Sequence, residues 1–124
     1  MRITGGIARS LHLKSPKGDF IRPSTDSSRE RLFSSLGDAV RGKRVLDLFA
    51  GTGACGLEAL SRGAASGYFV EKNRHAIRCI NKNLQTVAKG LGLGQVPGKA
   101  FQADVLKWRP PGNSCFELVF VDPP

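Results

Sequence analysis

Four acidic residues fall at the ends of predicted β-strands, and their side chains are the best candidates for chemistry in this sequence. They are Asp47, Glu71, Asp104 and Asp122. The carboxyl ends of parallel strands meet at one edge of a sheet, which is where open α/β sheets bind ligands. We therefore expect an acidic ligand site at that edge.

A glycine-rich turn separates the first two of these acids. Gly51, Gly53 and Gly56 match the dinucleotide-binding fingerprint, and Glu71 lies where that fingerprint has a ribose-binding acid. A nicotinamide-dependent dehydrogenase is therefore one candidate. However, Asp47 stands immediately before the turn, where a carboxylate would repel a pyrophosphate drawn to the helix N-terminus.

A cationic ligand suits these acids better. S-adenosylmethionine has a sulfonium group, an ammonium group and two ribose hydroxyls, and it has no phosphate. Carboxylates form charge-assisted hydrogen bonds with such groups. Asp47 would lie near the methionine end of this cofactor and Glu71 on its ribose. A purely structural role for Asp47, capping the turn, is the alternative.

The sequence supports two interpretations of Asp104 equally. In the segment Ala103-Asp104-Val105, its side chain could accept the amino hydrogens of adenine while a nearby backbone N–H meets a ring nitrogen. An Asp after a strand can equally begin a helix as its N-cap.

The segment Asp122-Pro123-Pro124 has the pattern of a catalytic turn. Prolines cannot continue a strand ladder, and they stiffen the turn that follows it. The Asp122 carboxylate and a turn carbonyl could then hold both N–H bonds of one amino group. Fixing these bonds directs the nitrogen lone pair toward a methyl donor, so direct transfer needs no covalent enzyme intermediate. An ordinary Asp-Pro turn is the alternative.

The elements that would position these residues alternate between strand and helix. We predict a basic β-hairpin over residues 2–13 with Gly5-Gly6 at its turn. A helix then runs to about Leu36, opened by a Ser27/Glu30 capping box and burying Leu32, Phe33 and Leu36. The predicted strands cover residues 43–49, 67–71, 99–103 and 116–121.

Two further helices connect these strands. One spans about 54–61, with Leu57 and Leu60 inward and Gly63 ending it. The other is amphipathic, and its apolar positions run from Ile77 to Leu91. A loop over 90–98 follows. This alternation predicts an α/β fold with about four parallel strands joined by right-handed crossovers.

The overall composition favours a polyanionic partner. The 124 residues are 40% hydrophobic and 23% charged, with 19 Lys and Arg against 10 Asp and Glu. Most of the excess lies in residues 1–45, so nucleic acid is a natural partner. No apolar run is long enough to span a membrane, and there is no secretory signal pattern.

The chain has three cysteines and two histidines. The cysteines are Cys55, Cys79 and Cys115, and their number and spacing predict neither a disulfide framework nor a metal site. We expect all three to be buried free thiols in a soluble, cytoplasmic protein without a metal.

Three blocks of this sequence resemble the bacterial 16S ribosomal RNA guanine-N2 methyltransferases of the RsmD type. They are Arg2-Ile3-Thr4-Gly5-Gly6, Arg22-Pro23-Ser24-Thr25-Asp26 with Arg29-Glu30, and Leu46-Asp47-Leu48-Phe49-Ala50-Gly51-Thr52-Gly53 with the segment from Gly56 to Ala64. The glycine-rich block is shared by many methyltransferases, whereas the Arg-Pro-x-Thr-Asp block is more particular. The resemblance implies a Rossmann-like class I methyltransferase that uses S-adenosylmethionine to methylate a guanine amine in small-subunit ribosomal RNA.

The resemblance also implies residue roles. Cofactor contacts would come from Arg22, Thr25, Asp47, Phe49, Ala50, Gly51, Gly53, Glu71, Lys72, Asp104 and Val105. For Arg22 and Thr25, a structural role in capping the following helix is an equal alternative. The catalytic turn would be Asp122, Pro123 and Pro124. Arg2, Arg9 and Lys14, in an RNA-contacting segment 1–20, would hold the RNA backbone without reading bases. Residues 21–124 would form the cofactor-binding domain.

The family pattern continues beyond the Asp-Pro-Pro turn with an aromatic residue and further strands. Strand 116–121 is apolar on both faces, as a covered strand would be, yet it would form an edge here. We therefore expect a fragment that is poorly soluble and inactive alone, from a protein that is monomeric when complete. The alternative functions are those of a DNA amino-methyltransferase and of a non-catalytic RNA-binding module.

Overall fold

The computed structural model describes residues 1–16 and 24–124. Three α-helices and four β-strands make up its regular elements. In chain order they are α1 (Asp26–Leu36), a short 3-10 helix (Gly37–Val40), β1 (Arg44–Leu48), α2 (Ala54–Ser61), β2 (Ser66–Glu71), α3 (Arg74–Gly90), β3 (Gly98–Gln102) and β4 (Leu118–Val121). The order of strands and helices agrees with the sequence prediction.

The four strands form one parallel sheet in the order β3-β2-β1-β4. The chain adds β2 and β3 on one side of β1 and then returns to place β4 on the other. Such a reversal of strand order opens a crevice at the carboxyl ends of the strands. The predicted α/β, Rossmann-like sheet is confirmed.

The strand register brings the predicted acidic residues to one edge. Leu48 pairs with Val70 of β2 and with Val121 of β4. Because strands advance in step, the next residues along β2 and β4 are Glu71 and Asp122, on either side of β1. The sheet therefore brings these two carboxylates to its carboxyl edge.

Two apolar clusters hold the helices to the sheet. The larger one joins Leu57 and Leu60 of α2, Phe69 of β2, and Ile80 and Leu84 of α3. Their burial removes apolar surface from water, which is the main favourable contribution to folding. A second cluster joins Phe33, Val40, Val45 and Ala59, with Leu118 and Phe120 of β4 packed against it.

The N-terminal segment is part of the larger cluster rather than a regular hairpin. It contains one antiparallel bridge, between Arg2 and His12, instead of the two strands predicted. Ile3, Ala8 and Leu13 are buried in the core with α2 and α3. The prediction of a regular hairpin was wrong. These side chains pack inward on α2 and α3, so only a few backbone hydrogen bonds join residues 1–3 to residues 10–13.

Helix α1 begins earlier than the predicted capping box. Thr25, not Ser27, is its N-cap, and the Thr25 hydroxyl accepts a hydrogen bond from the Ser28 N–H at 3.0 Å. The buried residues of α1 are Arg29 and Phe33, four positions apart on one face, whereas Leu32 is 40% exposed. The predicted stripe is confirmed for Phe33, and Leu36 is partly buried against the second cluster, but Leu32 was wrong because buried Arg29 lies on the inward face instead.

Two smaller expectations differ from the structure. β4 begins at Leu118 rather than Phe116, and Val119 and Val121 are exposed at the sheet edge. The three cysteines are free, but Cys115 is exposed in the loop before β4, and Cys55 and Cys79 are only partly buried. None of the described helices combines the length and apolar character that a membrane span requires.

Candidate functional site

A cavity of about 690 Å³ opens at the carboxyl edge of the sheet. Its wall contains ten of the predicted cofactor and catalytic residues: Thr25, Phe49, Gly51, Glu71, Lys72, Asp104, Val105, Asp122, Pro123 and Pro124. These residues come from segments far apart in the chain, and the fold brings them together. The cavity is therefore the candidate site.

Glu71, at the end of β2, organises the centre of this wall. Its Oε1 accepts the Gly51 N–H at 2.9 Å, and its Oε2 accepts the Asn73 N–H at 2.8 Å. One carboxylate thus holds both the glycine turn and the start of α3. Each oxygen has a further lone pair that can accept a ligand hydroxyl.

Asp47 lies in β1, next to the glycine turn. It is not one of the described residues that line the cavity. Its carboxyl is 4% exposed, and Oδ2 accepts the Gly56 N–H at 3.0 Å. Burial raises the pKa of Asp47 to about 7; the Gly56 hydrogen bond opposes this, and the negative charges of Asp122 and Glu71 add to it. The Gly56 N–H thus holds the Asp47 side chain against α2, and its expected place near the methionine end of a cofactor stays a prediction.

Gly56 makes this close approach possible. A Cβ at Gly56 would collide with the Phe69 ring and come within 3.2 Å of Asp47 Oδ2. The first turn of α2 can therefore lie directly on β1 and β2. Gly53, with φ +79°, forms the left-handed N-cap of α2 that lets the turn enter the helix.

Asp104 forms a tight turn after β3. Its Oδ1 accepts the Leu106 N–H at 2.9 Å, and its carbonyl accepts the N–H groups of Lys107 and Trp108. This turn leaves Asp104, Val105 and Leu106 on the cavity wall. The structure thus combines a turn-forming role with a position where Oδ2 can still accept from a ligand amine.

Asp122 and the two prolines form the opposite wall. They directly follow Val121, and all three are exposed. The Asp122 carboxylate lies close enough to Asp47 to contribute to the raised pKa of that group. Acids from three adjacent strands therefore act on one another at this edge.

Several predicted residues lie elsewhere. Ala50 and Gly53 are not among the described residues of the cavity wall, although both belong to the turn beneath it. Arg22 lies outside the described residues. The N-terminal cations Arg2, Arg9 and Lys14 are exposed and are not among the wall residues, and Arg2 lies 3.9 Å from Asp26 in an ion pair.

The sequence analysis did not identify five residues of the cavity wall, nor the buried arginine, Arg29, that holds one of them, Ser24. The additional wall residues are Ser24, Ser28, Asn73, Ala103 and Leu106. Buried Arg29 donates from Nη1 to the carbonyl and the hydroxyl of Ser24, at 2.7 and 3.1 Å. The only sequence signal was an Arg four residues before Phe33 on one helix face.

Arg29 also belongs to a buried ionic network. Its Nη2 donates to the Arg2 carbonyl and to Asp26, and its Nε lies 3.6 Å from Glu58. Glu58, which is fully buried, accepts from the N–H groups of Thr4 and Gly5 and from Arg62. The network joins the N-terminal segment, α1 and α2.

Comparisons with known proteins agree with this geometry. A family model described as "Conserved hypothetical protein 95" matches residues 1–124. Ribosomal RNA small subunit methyltransferase D of Escherichia coli K12 is 36% identical over 124 residues, which is all of this chain and 60% of that protein. The chain therefore spans about three fifths of the length of this curated relative.

Solved structures show the same fold. The Escherichia coli protein yhhF, described as a candidate methyltransferase, has a TM-score of 0.83 and 38% identity, covering 100% of this chain and 64% of its own. An RNA methyltransferase from Salinibacter ruber, solved with S-adenosyl-L-homocysteine, has a TM-score of 0.58 at 17% identity over 70% of this chain and 53% of its own, a likeness of fold alone.

The fold is therefore the Rossmann-like fold of class I methyltransferases, and the resemblance drawn from the sequence is confirmed. The chain belongs to the conserved hypothetical protein 95 family.

Proposed function

We propose that this protein transfers a methyl group from S-adenosylmethionine to the exocyclic N2 amine of a guanine in small-subunit ribosomal RNA. The observation that carries the proposal is the meeting of acids from adjacent strands at one cavity. Glu71 and Asp122 line it, and both raise the pKa of buried Asp47. Such a concentration of negative charge favours a cationic ligand and disfavours a phosphate.

The residues of the cavity fit this cofactor. Glu71 would accept hydrogen bonds from the ribose hydroxyls, while keeping its bonds to Gly51 and Asn73. Asp104 Oδ2 would accept from the adenine amine, with Val105 and Leu106 as an apolar wall beside the ring. When bound, S-adenosylmethionine supplies a methyl group activated by its sulfonium.

Asp122 would act on the target amine. Its carboxylate oxygens can accept the N–H bonds of a guanine amine, which orients the nitrogen lone pair, and one of them would take the proton that the amine loses as it gains the methyl group. Pro123 and Pro124 restrict the backbone of the turn, so the carboxylate loses little freedom on binding. The exposure of this turn leaves room for an extruded base.

The partner proposed is ribosomal RNA or the 30S subunit, bound by a monomer in the cytoplasm. The relative from Escherichia coli, named as a small-subunit ribosomal RNA methyltransferase, supports that substrate. Exposed Arg9 and Lys14 are available to hold phosphates. No group of metal-ligating side chains is found within residues 1–16 and 24–124, and the proposed chemistry requires none.

The test is transfer of labelled methyl from S-adenosylmethionine by the whole gene product to 30S subunits and to duplex DNA. We expect label in the RNA, recovered as N2-methylguanosine after digestion to nucleosides. Replacing Asp122 by Ala should lower transfer on the order of a hundredfold or more, by analogy with loss of one transition-state hydrogen-bonding group. RNA binding should be unchanged.

Asp38→Ala is the matched control, because Asp38 is an exposed carboxylate on the short 3-10 helix, outside the cavity wall. It should leave transfer unchanged. Label in DNA but not in RNA would identify an amino-methyltransferase acting on DNA. Tight RNA binding with no transfer to any substrate would identify a non-catalytic RNA-binding protein.

A further inference from the structure

Helix α3 carries a stripe of cations on its solvent side. Arg74, Arg78, Lys82 and Lys89 are all exposed. At 3.6 residues per turn, they fall within an arc of about 80° around the helix axis. The buried positions of α3, among them Ile80, lie on the opposite side. We call these four residues the α3 stripe.

The charges of the α3 stripe have no local compensation. The helix sequence contains neither Asp nor Glu, and within the described residues no member of the stripe forms an ion pair. Other arginines are paired, as Arg44 is with Glu117 and Arg62 with Glu58. Within the described residues, the ion pairs therefore lie elsewhere in the fold and leave the α3 stripe basic.

Helix stability does not account for this arrangement. Arg74, Arg78 and Lys82 are spaced four residues apart, so neighbouring like charges repel one another. Arg74 also opens the helix, where the macrodipole disfavours a cation. A stripe that costs helix stability is best explained by a polyanion that neutralises it.

The α3 stripe begins at the candidate site. Lys72 and Asn73, which line the cavity, immediately precede Arg74, and Asn73 is the N-cap of α3. From Arg74 to Lys89 the helix rises about 22 Å. A polyanion lying along the stripe would therefore pass the mouth of the cavity.

The N-terminal segment packs on the flank of the same helix. The Lys14 N–H donates to Asn83 Oδ1 at 2.8 Å, and Asn83 Nδ2 donates to the Lys14 carbonyl at 2.9 Å. Near the other end of α3, Gly90 allows Leu11 to approach closely. The N-terminal cations are thus attached to the helix that carries the stripe.

We propose that the α3 stripe binds the phosphate backbone of the substrate RNA and so leads the strand past the cavity. This inference rests on the proposed function, because it names the surface that holds the substrate of that site. Arg and Lys at intervals of about one turn provide charge without base-reading geometry. The contact is therefore independent of sequence and sensitive to salt.

The experiment measures binding of the whole gene product to a short fluorescein-labelled RNA hairpin across a range of salt concentrations. The variant replaces Arg78 and Lys82 with Gln, which keeps helix propensity and removes two charges. We expect affinity to fall on the order of tenfold at moderate salt. The slope of log K against log salt should become shallower by about 1.5, as expected for two lost phosphate contacts.

The matched control replaces Arg31 and Arg109 with Gln. These are exposed cations on α1 and in the loop before β4, and neither forms an ion pair within the described residues, so the control removes the same uncompensated charge elsewhere. It should change both quantities much less than the stripe variant. Circular dichroism melting of both variants verifies that they fold like the parent.

Equal losses in the stripe and control variants would overturn the proposal, because net charge alone would then explain binding. Absence of RNA binding by the parent would overturn it as well. Titration with S-adenosyl-L-homocysteine distinguishes a failure of the stripe proposal from a failure of the proposed function. Cofactor binding with no role for the stripe rejects only the stripe, whereas stripe-dependent RNA binding without cofactor binding rejects the methyltransferase assignment.

Discussion

Asp47 is the residue whose environment says most about the site. It is a carboxyl group buried between a glycine turn and two neighbouring acids, with one backbone N–H as partner. Burial disfavours its charged form, and Glu71 and Asp122 disfavour it further. The pKa of about 7 therefore reports first the burial of this carboxyl and only then the nearby charges of Asp122 and Glu71.

This pKa predicts an unusual dependence of stability on pH. In the unfolded chain Asp47 loses its proton near its ordinary pKa of 3.8, whereas the folded protein retains the proton up to about 7. The stability that the neutral carboxyl contributes is present below pH 4 and is lost as the pH rises to about 7. The slope is on the order of 1.4 kcal/mol per pH unit.

Replacing Asp47 by Asn tests this prediction. The amide oxygen of Asn can still accept the Gly56 N–H, but it cannot ionise. Urea unfolding should show that the variant gains stability relative to the parent as the pH rises from 5 to 8. Parallel profiles for the two proteins would contradict a raised pKa, and the exposed-site change Asp38→Asn should follow the parent.

The positions of site residues at the ends of strands could be predicted from the sequence. Glu71 and Asp122 followed from apolar runs and a glycine turn, because parallel register alone brings strand ends together. The burial of Asp47 could not be predicted in this way. It depends on how closely Gly56 lets α2 approach β1, which is a tertiary distance.

At the scale of elements, the N-terminal segment, α1 and α2 are held together by buried charge. Glu58 accepts hydrogen bonds from two backbone N–H groups of the N-terminal segment and faces both Arg29 and Arg62. Arg29 in turn holds Ser24 on the cavity wall. The shape of the wall therefore depends on this network.

Replacing Glu58 by Gln should destabilise the protein by about 3 kcal/mol or more, because it removes the buried negative charge that faces both Arg29 and Arg62 and leaves Arg29 with Asp26 as its one remaining ionic partner within the described residues. Urea unfolding, followed by the fluorescence of Trp108, measures the change. The control is Asp38→Asn, which breaks the exposed pair with Arg41. Exposed pairs contribute little, so a loss in the Glu58 variant no larger than in the control would contradict the network's role.

The same elements show what could be predicted from the sequence and what could not. The bounds of α2 and the buried stripe of α3 follow from the sequence pattern, but α3 begins at Arg74, before its first predicted apolar position, Ile77. The cap of α1 is a local hydrogen bond from Ser28 to Thr25, a role that the sequence left open for Thr25. The hairpin was mispredicted because long-range partners decide it. Ser61 accepts the Ile7 N–H, and Arg29 links Ser24 to the Arg2 carbonyl.

At the scale of the whole molecule, charge is distributed unevenly. Carboxylates gather at the strand ends around the cavity, while the uncompensated cations of α3 extend away from its mouth. One surface thus suits a cationic cofactor, and the adjoining one suits a polyanionic substrate. The net charge of +9, most of which lies in residues 1–45, predicted a polyanionic partner but pointed to the N-terminal segment and not to α3.

The central claim is that the cavity selects a positively charged methyl donor over a phosphate-bearing dinucleotide. Isothermal titration calorimetry of the whole gene product with S-adenosylmethionine, and separately with NADH, tests it most directly. We expect saturable heat with S-adenosylmethionine and none with NADH at the same concentrations. Saturation by NADH with no heat from S-adenosylmethionine would contradict the account.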